Sequence, residues 1–563
     1  MEVNGIGFQS QLPSILGAIA QSRFVAFDLE LSGIPGRQTG QARAPGRSQD
    51  GKQTLQERYE DTRKAAERYQ IIQLGLTCVE ENLERGVYVA RPYNFFLNPV
   101  PGGRLDVERD FTYQSGAVEF LLSVGFRMDA PFTQGVPYLS RDEEARARSN
   151  SIAKQDKNRY KDIFIPEDDL ESLQFIRRVR QEISEWTMRT TSEPAFLNIA
   201  PPNHDSPDYN GRGLNGYQKR LVHQLVRAEF PDLVSISKLD FVQLLPFDQQ
   251  REDFQLQKKL AWFEKSLTSQ IGLRWIAEAI CPNVDHVLEP QRAPPNASGN
   301  LEALTPWVYP LVPMPEAESE AIASRFHELL EILRTRRTVL VGHNVFLDLI
   351  YFFSCFFGPL PDRVEDFQKL IAQLFPMVFD TKYLADKINN NSPLYKSSLE
   401  EIDKELSKLP VPVIETPPDH DKYMTDSPMH EAGFDSFLTA KILIRLSART
   451  EGEAQADLSP VSDDEAYQTA SEDGGVSLNG QDDSTTYGHT NGTTSEPSTI
   501  SHNNPYNLLS KLSLEHGLQP EKTIIDKKSP KHTMMPDEDS SFWTLYGNKL
   551  RVNGTVEEVC VIR

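Results

Sequence analysis

Only four cysteines occur in 563 residues, Cys78, Cys281, Cys355 and Cys560, and no two of them form a Cys-x-x-Cys pair. That scarcity argues against a disulfide framework and against a thiolate zinc site. Long apolar runs are missing too. The most apolar stretch, Thr338–Phe357, is broken by His343, Asn344 and Asp348, which makes it too polar for a membrane span and better read as a core strand running into a helix. Met1–Arg23 lacks the basic start and continuous apolar core of a signal peptide. These absences describe a soluble intracellular protein, in nucleus or cytoplasm, with no membrane partner. Two common catalytic signatures also fail. Gly46–Gln53 approaches a phosphate-binding loop, but Gln53 stands where a Ser or Thr must hold Mg²⁺ and no strand precedes it. No Gly-x-Ser-x-Gly nucleophile elbow occurs.

Positive charge is absent from one region in particular. The chain carries a net charge of −22, and residues 451–500 hold eleven acidic side chains with no Lys or Arg. That segment is rich in Ser, Thr, Gly and Asp and poor in large apolar groups, so it reads as an acidic disordered stretch over 448–537. The body that remains is far less acidic. Its length implies several domains: 1–167 and 251–447 as two parts of one α/β domain, 168–250 as an insertion, and 538–563 as a short ordered strand segment. Within the insertion, the pattern gives a charged helix at Leu173–Arg189, a strand at Ala195–Ile199, a helix at Tyr217–Ala228 and a strand at Val234–Leu245. The loop from Gly33 to Gln53, with Arg37, Arg43, Arg47 and Lys52, reads as a basic flap or a disordered insertion, and its composition favours disorder.

Against this background, four acids and a histidine stand out. Asp28 and Glu30 lie two apart in Phe24-Val25-Ala26-Phe27-Asp28-Leu29-Glu30, an apolar strand, so both carboxylates leave one face. Charge there is costly unless a cation or partner compensates it. Asp348 follows Gly342-His343-Asn344 at a strand-to-helix turn, and His430 and Asp435 open a long apolar helical run through Leu446. Carboxylates and a histidine in this order suit a site for two divalent cations roughly 3.5–4 Å apart, the spacing used for in-line phosphodiester displacement. Caps and buried ion pairs are the structural alternative for each residue taken singly.

The set resembles the DEDD exonuclease superfamily in its His-containing branch and, more narrowly, the poly(A)-specific ribonuclease family of deadenylases. Further motifs carry the resemblance in family order: Asp28-Leu29-Glu30-Leu31-Ser32-Gly33-Ile34, Gln73-Leu74-Gly75-Leu76, Asn94-Phe95-Phe96-Leu97-Asn98-Pro99, Gly135-Val136-Pro137-Tyr138-Leu139, Asp380-Thr381-Lys382 and His430-Glu431-Ala432-Gly433-Phe434-Asp435. Leu29 and Leu31 depart from the glycine and phenylalanine usual in animal members. The resemblance implies a ribonuclease H-like α/β fold with a central mixed sheet. It further implies two Mg²⁺ (Mn²⁺ as a substitute) held by Asp28, Glu30, Asp348 and Asp435, with His430 as general base. Ser32, Ile34 and Lys382 would border the substrate.

The insertion resembles the small single-strand nucleic-acid-binding domain named for an Arg-x-x-x-His motif, here degenerate as Lys219-Arg220-Leu221-Val222-His223. Lys219 and His223 share a helix face and are candidates to meet a phosphate; a solvated basic helix is the alternative. The expected substrate is single-stranded RNA with a free 3′-hydroxyl, poly(A) first. A trimmer of small or structured RNAs and a non-catalytic RNA-binding scaffold are the other readings. Family members dimerise, with the inserted domain over the RNA entrance. The stretch Glu252–Ile280 offers an apolar stripe for such an interface in Phe254, Leu256, Leu260, Phe263 and Leu267; packing on its own domain is the alternative. The final segment is too short to form an RNA-recognition domain.

Overall fold

The apolar run that carries Asp28 and Glu30 becomes an interior strand of an eight-stranded mixed sheet. The computed structural model describes residues 1–36, 52–155, 161–189, 195–201, 213–281, 316–388, 398–409, 411–425, 428, 430–457, 534–536 and 539–563. Most of the Arg-rich loop with its near-match to a phosphate-binding loop, and the acidic segment from 458 to 533, lie outside the described residues.

The chain opens with β1 (Glu2–Val3), α1 (Phe8–Gln21), β2 (Phe24–Leu31), α2 (Leu55–Arg68), β3 (Ile71–Asn82) and β4 (Val87–Asn98). It continues through α3 (Ser115–Ser123), α4 (Ala130–Thr133), β5 (Val136–Pro137) and α5 (Arg141–Gln155). Next come α6 (Leu170–Thr187), β6 (Leu197–Ile199), α7 (Gly216–Glu229), β7 (Leu233–Ser237), β8 (Val242–Pro246), α8 (Gln249–Ile271) and α9 (Arg274–Ile280). The later part adds α10 (Glu316–Thr335), β9 (Val339–Gly342), α11 (Phe346–Phe356), α12 (Val364–Leu374), β10 (Met377–Asp380), α13 (Thr381–Ile388) and α14 (Leu399–Leu406). Last are β11 (Val413–Glu415), α15 (Lys422–Thr425), α16 (Ala432–Asp457), α17 (Ser541–Tyr546), β12 (Lys549–Arg551) and β13 (Val559–Val561).

Two compact units result, one from Met1–Gly102, Glu108–Glu143 and Ser269–Arg563, the other from Gly103–Val107 and Glu144–Thr268. In the first, the sheet order is β1-β4-β3-β2-β9-β10, with β5 and β11 also on β4. Strand β3 is antiparallel to β2 and β4, while β2, β9 and β10 run parallel. This is the ribonuclease H-like arrangement expected from the sequence. Alternation along β2 sends Phe24 and Ala26 into the core that α16 covers with Phe434, Phe437, Leu438, Ile442 and Leu443. Phe27, of opposite parity, meets Phe352 of α11 at 5.8 Å between ring centroids. Asp28 and Glu30 share parity with Phe24 and Ala26, which places their carboxylates on the α16 side. The apolar stretch from Thr338 is indeed strand then helix, β9 and α11, and no described helix is long and apolar enough to cross a membrane.

The second unit packs α6 and α7 on the three-stranded sheet β6-β8-β7 through Val179, Ile183, Val222, Leu225, Val226, Val242 and Leu244. It is wider than the insertion expected at 168–250, because most of α5 and α8 cluster with it. The single strand expected at Val234–Leu245 is a hairpin, β7 and β8 in antiparallel register, folded back between Ser237 and Val242. The expected helical stretch Glu252–Ile280 is broken at Gly272, whose φ of +49° suits glycine. Of the apolar stripe on α8, Leu267 is wholly buried, whereas Phe254 (53% exposed), Leu256 and Leu260 face outward.

Two boundaries also move. Helix α16 runs past 447 to Asp457. Before the expected last segment, Met535 is buried in the core beneath α16 and its N–H donates to Glu81 Oε1 at 2.7 Å. In the last segment Phe542–Tyr546, expected as strand, are helical, with Ser540 Oγ accepting from Phe542 N–H as a cap.

Candidate active site

Register explains how three distant pieces of sequence meet. Strand β2 pairs with β9 only from Phe24 to Ala26, opposite Val339 to Val341. Asp28 and Glu30 therefore extend past the end of β9, where the chain turns into α11 and delivers Asp348 in its first turn. The turn passes through Asn344, which holds a left-handed φ of +58°, a conformation Asn tolerates. Asp380, wholly buried at the end of β10, fixes that turn. Its Oδ1 accepts from Asn344 N–H at 2.8 Å and Lys382 N–H at 2.9 Å, and its Oδ2 from Arg551 N–H at 2.8 Å. Burial raises the Asp380 carboxyl to about 6, partly offset by these donors.

On the other side, the start of α16 crosses the sheet over Gly75. Asp28, Gly75 and Asn94 are cross-strand partners in one row of β2, β3 and β4. A Cβ on Gly75 would lie 1.8 Å from the carbonyl oxygen of Ala432, so only glycine allows this approach. Two buried side chains then hold the first amides of the helix: Gln73 Oε1 accepts from Ala432 N–H at 2.9 Å and Asn94 Oδ1 from Gly433 N–H at 3.1 Å. They satisfy amides that have no partner within the helix, and His430, two residues before the helix, holds a left-handed φ of +58°. Asp435 in the first turn of α16 consequently stands over Asp28.

Side-chain oxygens of Glu30 and Asp435 and a ring nitrogen of His430 all lie within 4.8 Å of one another. The His430 ring meets Phe120 of α3 edge-on, with centroids 4.8 Å apart. Asp28 and Asp348 join this trio electrostatically rather than in the same tight cluster. Burial first, then repulsion from Asp435, Asp348 and Glu30, pushes the Asp28 carboxyl far above its usual range. Glu30 rises to about 8 from burial and from Asp435 and Asp348, and burial lifts Asp348 and Asp435 to about 7. Among the described residues, the charges acting on Asp28 and Glu30 are other carboxylates. Four converging, half-buried acids with no cationic partner among the described residues form a donor set of hard oxygens that fits divalent cations such as Mg²⁺ or Mn²⁺.

Beside His430, a pocket of about 380 Å³ is lined by Gln73, Phe96, Phe126, Lys422 and Glu431 among others. Lys422 bridges Glu431 at 2.6 Å and Glu2 at 3.0 Å, and Tyr423 hydroxyl donates to Glu431, so the loop carrying His430 is tied to β1.

The other residues singled out from sequence have partners of their own, outside the trio of Glu30, His430 and Asp435. Ser32 is buried, donating its hydroxyl to Thr112 O at 2.7 Å and accepting from Gln70 N–H at 2.9 Å. Ile34 is 51% exposed, with its N–H on Gln114 Oε1. Lys382 follows Asp380 at the start of α13. Burial lowers its ammonium, and the acids that act on it are Asp386, Asp380 and Glu401. In the second unit, Lys219 donates to the carbonyls of Lys238 and Leu239 at 2.8 and 2.6 Å. His223 sits between the hydroxyls of Ser235 and Ser237, 2.7 Å from each. Both side chains thus brace the β7–β8 hairpin, and burial lowers the His223 pKa. The roles of Gln73, Gly75, Asn94 and Asp380 were not read from sequence. Their signal was polar or glycine residues inside apolar strands, at positions already noted as motifs.

A family model described as CAF1 family ribonuclease matches residues 3–443. The poly(A)-specific ribonuclease of Xenopus laevis is 24% identical over 469 residues, covering 79% of this chain and 62% of that protein. An uncharacterized protein of Schizosaccharomyces pombe is 26% identical over 471 residues, 80% of this chain and 94% of its own length. The pre-piRNA 3′-exonuclease trimmer of Bombyx mori is 23% identical over 461 residues, 79% of this chain and 71% of that protein. The chain spans about three fifths of the length of the poly(A)-specific ribonucleases it matches. With the model covering most of the chain, and the acids and histidine converging as described, this protein belongs to the CAF1 family of ribonucleases.

Proposed function

We propose that this protein is a divalent-cation-dependent 3′→5′ exoribonuclease that removes poly(A) from the 3′ end and releases 5′-AMP. The convergence of Glu30, His430 and Asp435 beside Asp28 and Asp348 carries the reading. Asp28, Glu30, Asp348 and Asp435 would hold two Mg²⁺ or Mn²⁺. Such cations supply charge that lowers the pKa of water and neutralises the departing 3′ oxygen. The protein's own part is orientation and proton transfer. His430, steadied by Phe120, takes the proton of the attacking water at a ring nitrogen. Gln73 and Asn94 keep the start of α16 in place, so that His430 and Asp435 hold their positions relative to Asp28. A free 3′-hydroxyl identifies the end at which hydrolysis starts.

A second reading, 3′ trimming of small RNAs without adenine preference, is favoured by the match to the Bombyx mori trimmer over 79% of this chain. Incubating purified protein with RNAs bearing 3′ tails of A, U, C or mixed sequence, with and without Mg²⁺, separates the two. Faster loss of the A tail supports deadenylation, equal loss of all tails supports trimming, and no Mg²⁺-dependent loss overturns both.

The outward Phe254, Leu256 and Leu260 of α8 support a further part of the reading, that a second copy of the chain covers this face. Light scattering giving a monomer mass at full activity would refute it.

A further inference from the structure

The segment from Met534 to Arg563 does more than cover the edge of the sheet. Asn548 occupies both ladder positions of the edge strand β10: its N–H donates to Val378 O, and its Oδ1 accepts from Val378 N–H, each at 2.8 Å. Phe542 stacks on Phe379 at 5.2 Å, and Trp543 meets the same ring edge-on at 5.4 Å. The hairpin β12–β13 is thereby set against the end of β10, where Asp380 lies. Arg551 pairs opposite Val559 within the hairpin, yet its N–H donates to Asp380 Oδ2. The other oxygen of the same carboxylate receives Asn344 N–H, four residues before Asp348. One buried carboxylate thus joins the backbone of the C-terminal hairpin to the turn that presents a candidate metal ligand. A second attachment runs to the start of α2: Glu557 accepts from Leu55 N–H at 2.9 Å, and Val556 N–H donates to Gln53 O at 2.9 Å.

We propose that Asp380 is a positioning residue for the hydrolytic site, and that the C-terminal hairpin holds it in place through the Arg551 amide. The inference rests on the two-cation reading above. Asp380 has acceptors on both sides and donors aimed at each, so an amide in its place would point an NH₂ at one of those donors. Either the turn at Asn344 or the Arg551 amide would then lose its acceptor, and the link that fixes the direction of Asp348 would be broken. Outer partners that orient a ligand typically change metal affinity by about 10–100-fold when removed.

The test uses the full chain and three variants, with Mn²⁺ binding followed by electron paramagnetic resonance in the absence of RNA. Arg551→Pro deletes the N–H, Arg551→Ala keeps it while losing the ion pairs to Asp386 and Glu558, and Asp380→Asn removes an acceptor. Arg551→Pro and Asp380→Asn are expected to weaken Mn²⁺ binding about tenfold and to lower kcat with little change in KM. Arg551→Ala should stay within about twofold of the unaltered protein, because it keeps the N–H that reaches Asp380 Oδ2. Equal Mn²⁺ affinity in all four proteins would overturn the proposal, as would a loss in Arg551→Ala matching that in Arg551→Pro. Should Arg551→Pro fail to fold, Asp380→Asn decides alone. An unaltered protein that binds no Mn²⁺ would instead overturn the metal-site reading itself.

Discussion

Gly75 offers the sharpest perturbation, because adding one methyl group there acts on the site without removing any functional group. In Gly75→Ala the new Cβ would sit 1.8 Å from Ala432 O, 2.0 Å from its carbonyl carbon and 2.5 Å from Gly433 N. All three are backbone atoms, so no side chain can swing aside. Restoring an ordinary contact of 3.4 Å requires a shift of about 1.6 Å between β3 and the start of α16. That shift would stretch the bonds from Gln73 and Asn94 to the helix amides and move His430 and Asp435 relative to Asp28. Misplacement of reacting groups by about 1 Å costs on the order of 10²-fold in rate, and overpacking of this kind destabilises by roughly 1–3 kcal/mol. Single-turnover hydrolysis of a 3′-labelled RNA should therefore slow at least about 100-fold, while circular dichroism shows a folded protein with a lowered Tm. Gly216→Ala serves as the control: nothing lies within 4 Å of its added Cβ, and a compatible Gly→Ala change stabilises by about 0.4–1 kcal/mol. A Gly75→Ala enzyme within threefold of the original rate would refute the claim that α16 must sit this close to β3.

The acids should be nearly indispensable: Asp28→Ala, Glu30→Ala, Asp348→Ala or Asp435→Ala each abolishes hydrolysis in a protein that stays folded by circular dichroism, and more than a tenth of the activity left in any of them removes that residue from the site. His430→Ala should still bind RNA in a filter assay yet hydrolyse it about 10²–10⁴-fold more slowly, with partial recovery at high pH; an unchanged single-turnover rate would make the histidine structural. Stability should also depend on pH with a definite sign. Carboxyls raised from 3.8–4.5 to about 7–8 in the cation-free protein bind more protons folded than unfolded, so their contribution is present at low pH and lost as pH climbs through that window. The Tm without Mg²⁺ is accordingly expected to fall between about pH 5 and 8.5, and the gain in Tm on adding Mg²⁺ to grow over the same range. A Mg²⁺ effect independent of pH would show that these carboxyls do not take up the cation.

What could be read in the sequence, and what could not, divides along the range of the forces involved. Asp28, Glu30, Asp348, His430 and Asp435 were legible because charge inside an apolar strand, or at the mouth of an apolar helix, conflicts with its own neighbours. The ribonuclease H-like sheet followed from motif order. Gln73 and Asn94 carried no comparable signal: a lone polar residue in a strand has many uses, and theirs is set by amides 359 and 339 residues away. Lys219 and His223 are the converse case. Their spacing does place them on one helix face, but whether that face meets a phosphate or a hairpin depends on where the β7–β8 turn lies, and the apolar run Val234–Leu245 hides that turn. At the far end, Met535 and the Phe542–Tyr546 helix were missed because each is stabilised by partners outside its own segment, Glu81 and Phe379 among them. Asp380 belongs to the same class. It is the last residue of a short apolar strand, and its importance arises from amides donated by Asn344 and Arg551, which come from distant parts of the sequence. The residues proposed to perform chemistry disturb their local sequence strongly, whereas those proposed to aim them disturb it little, so the partners of the aiming set become visible only in three dimensions.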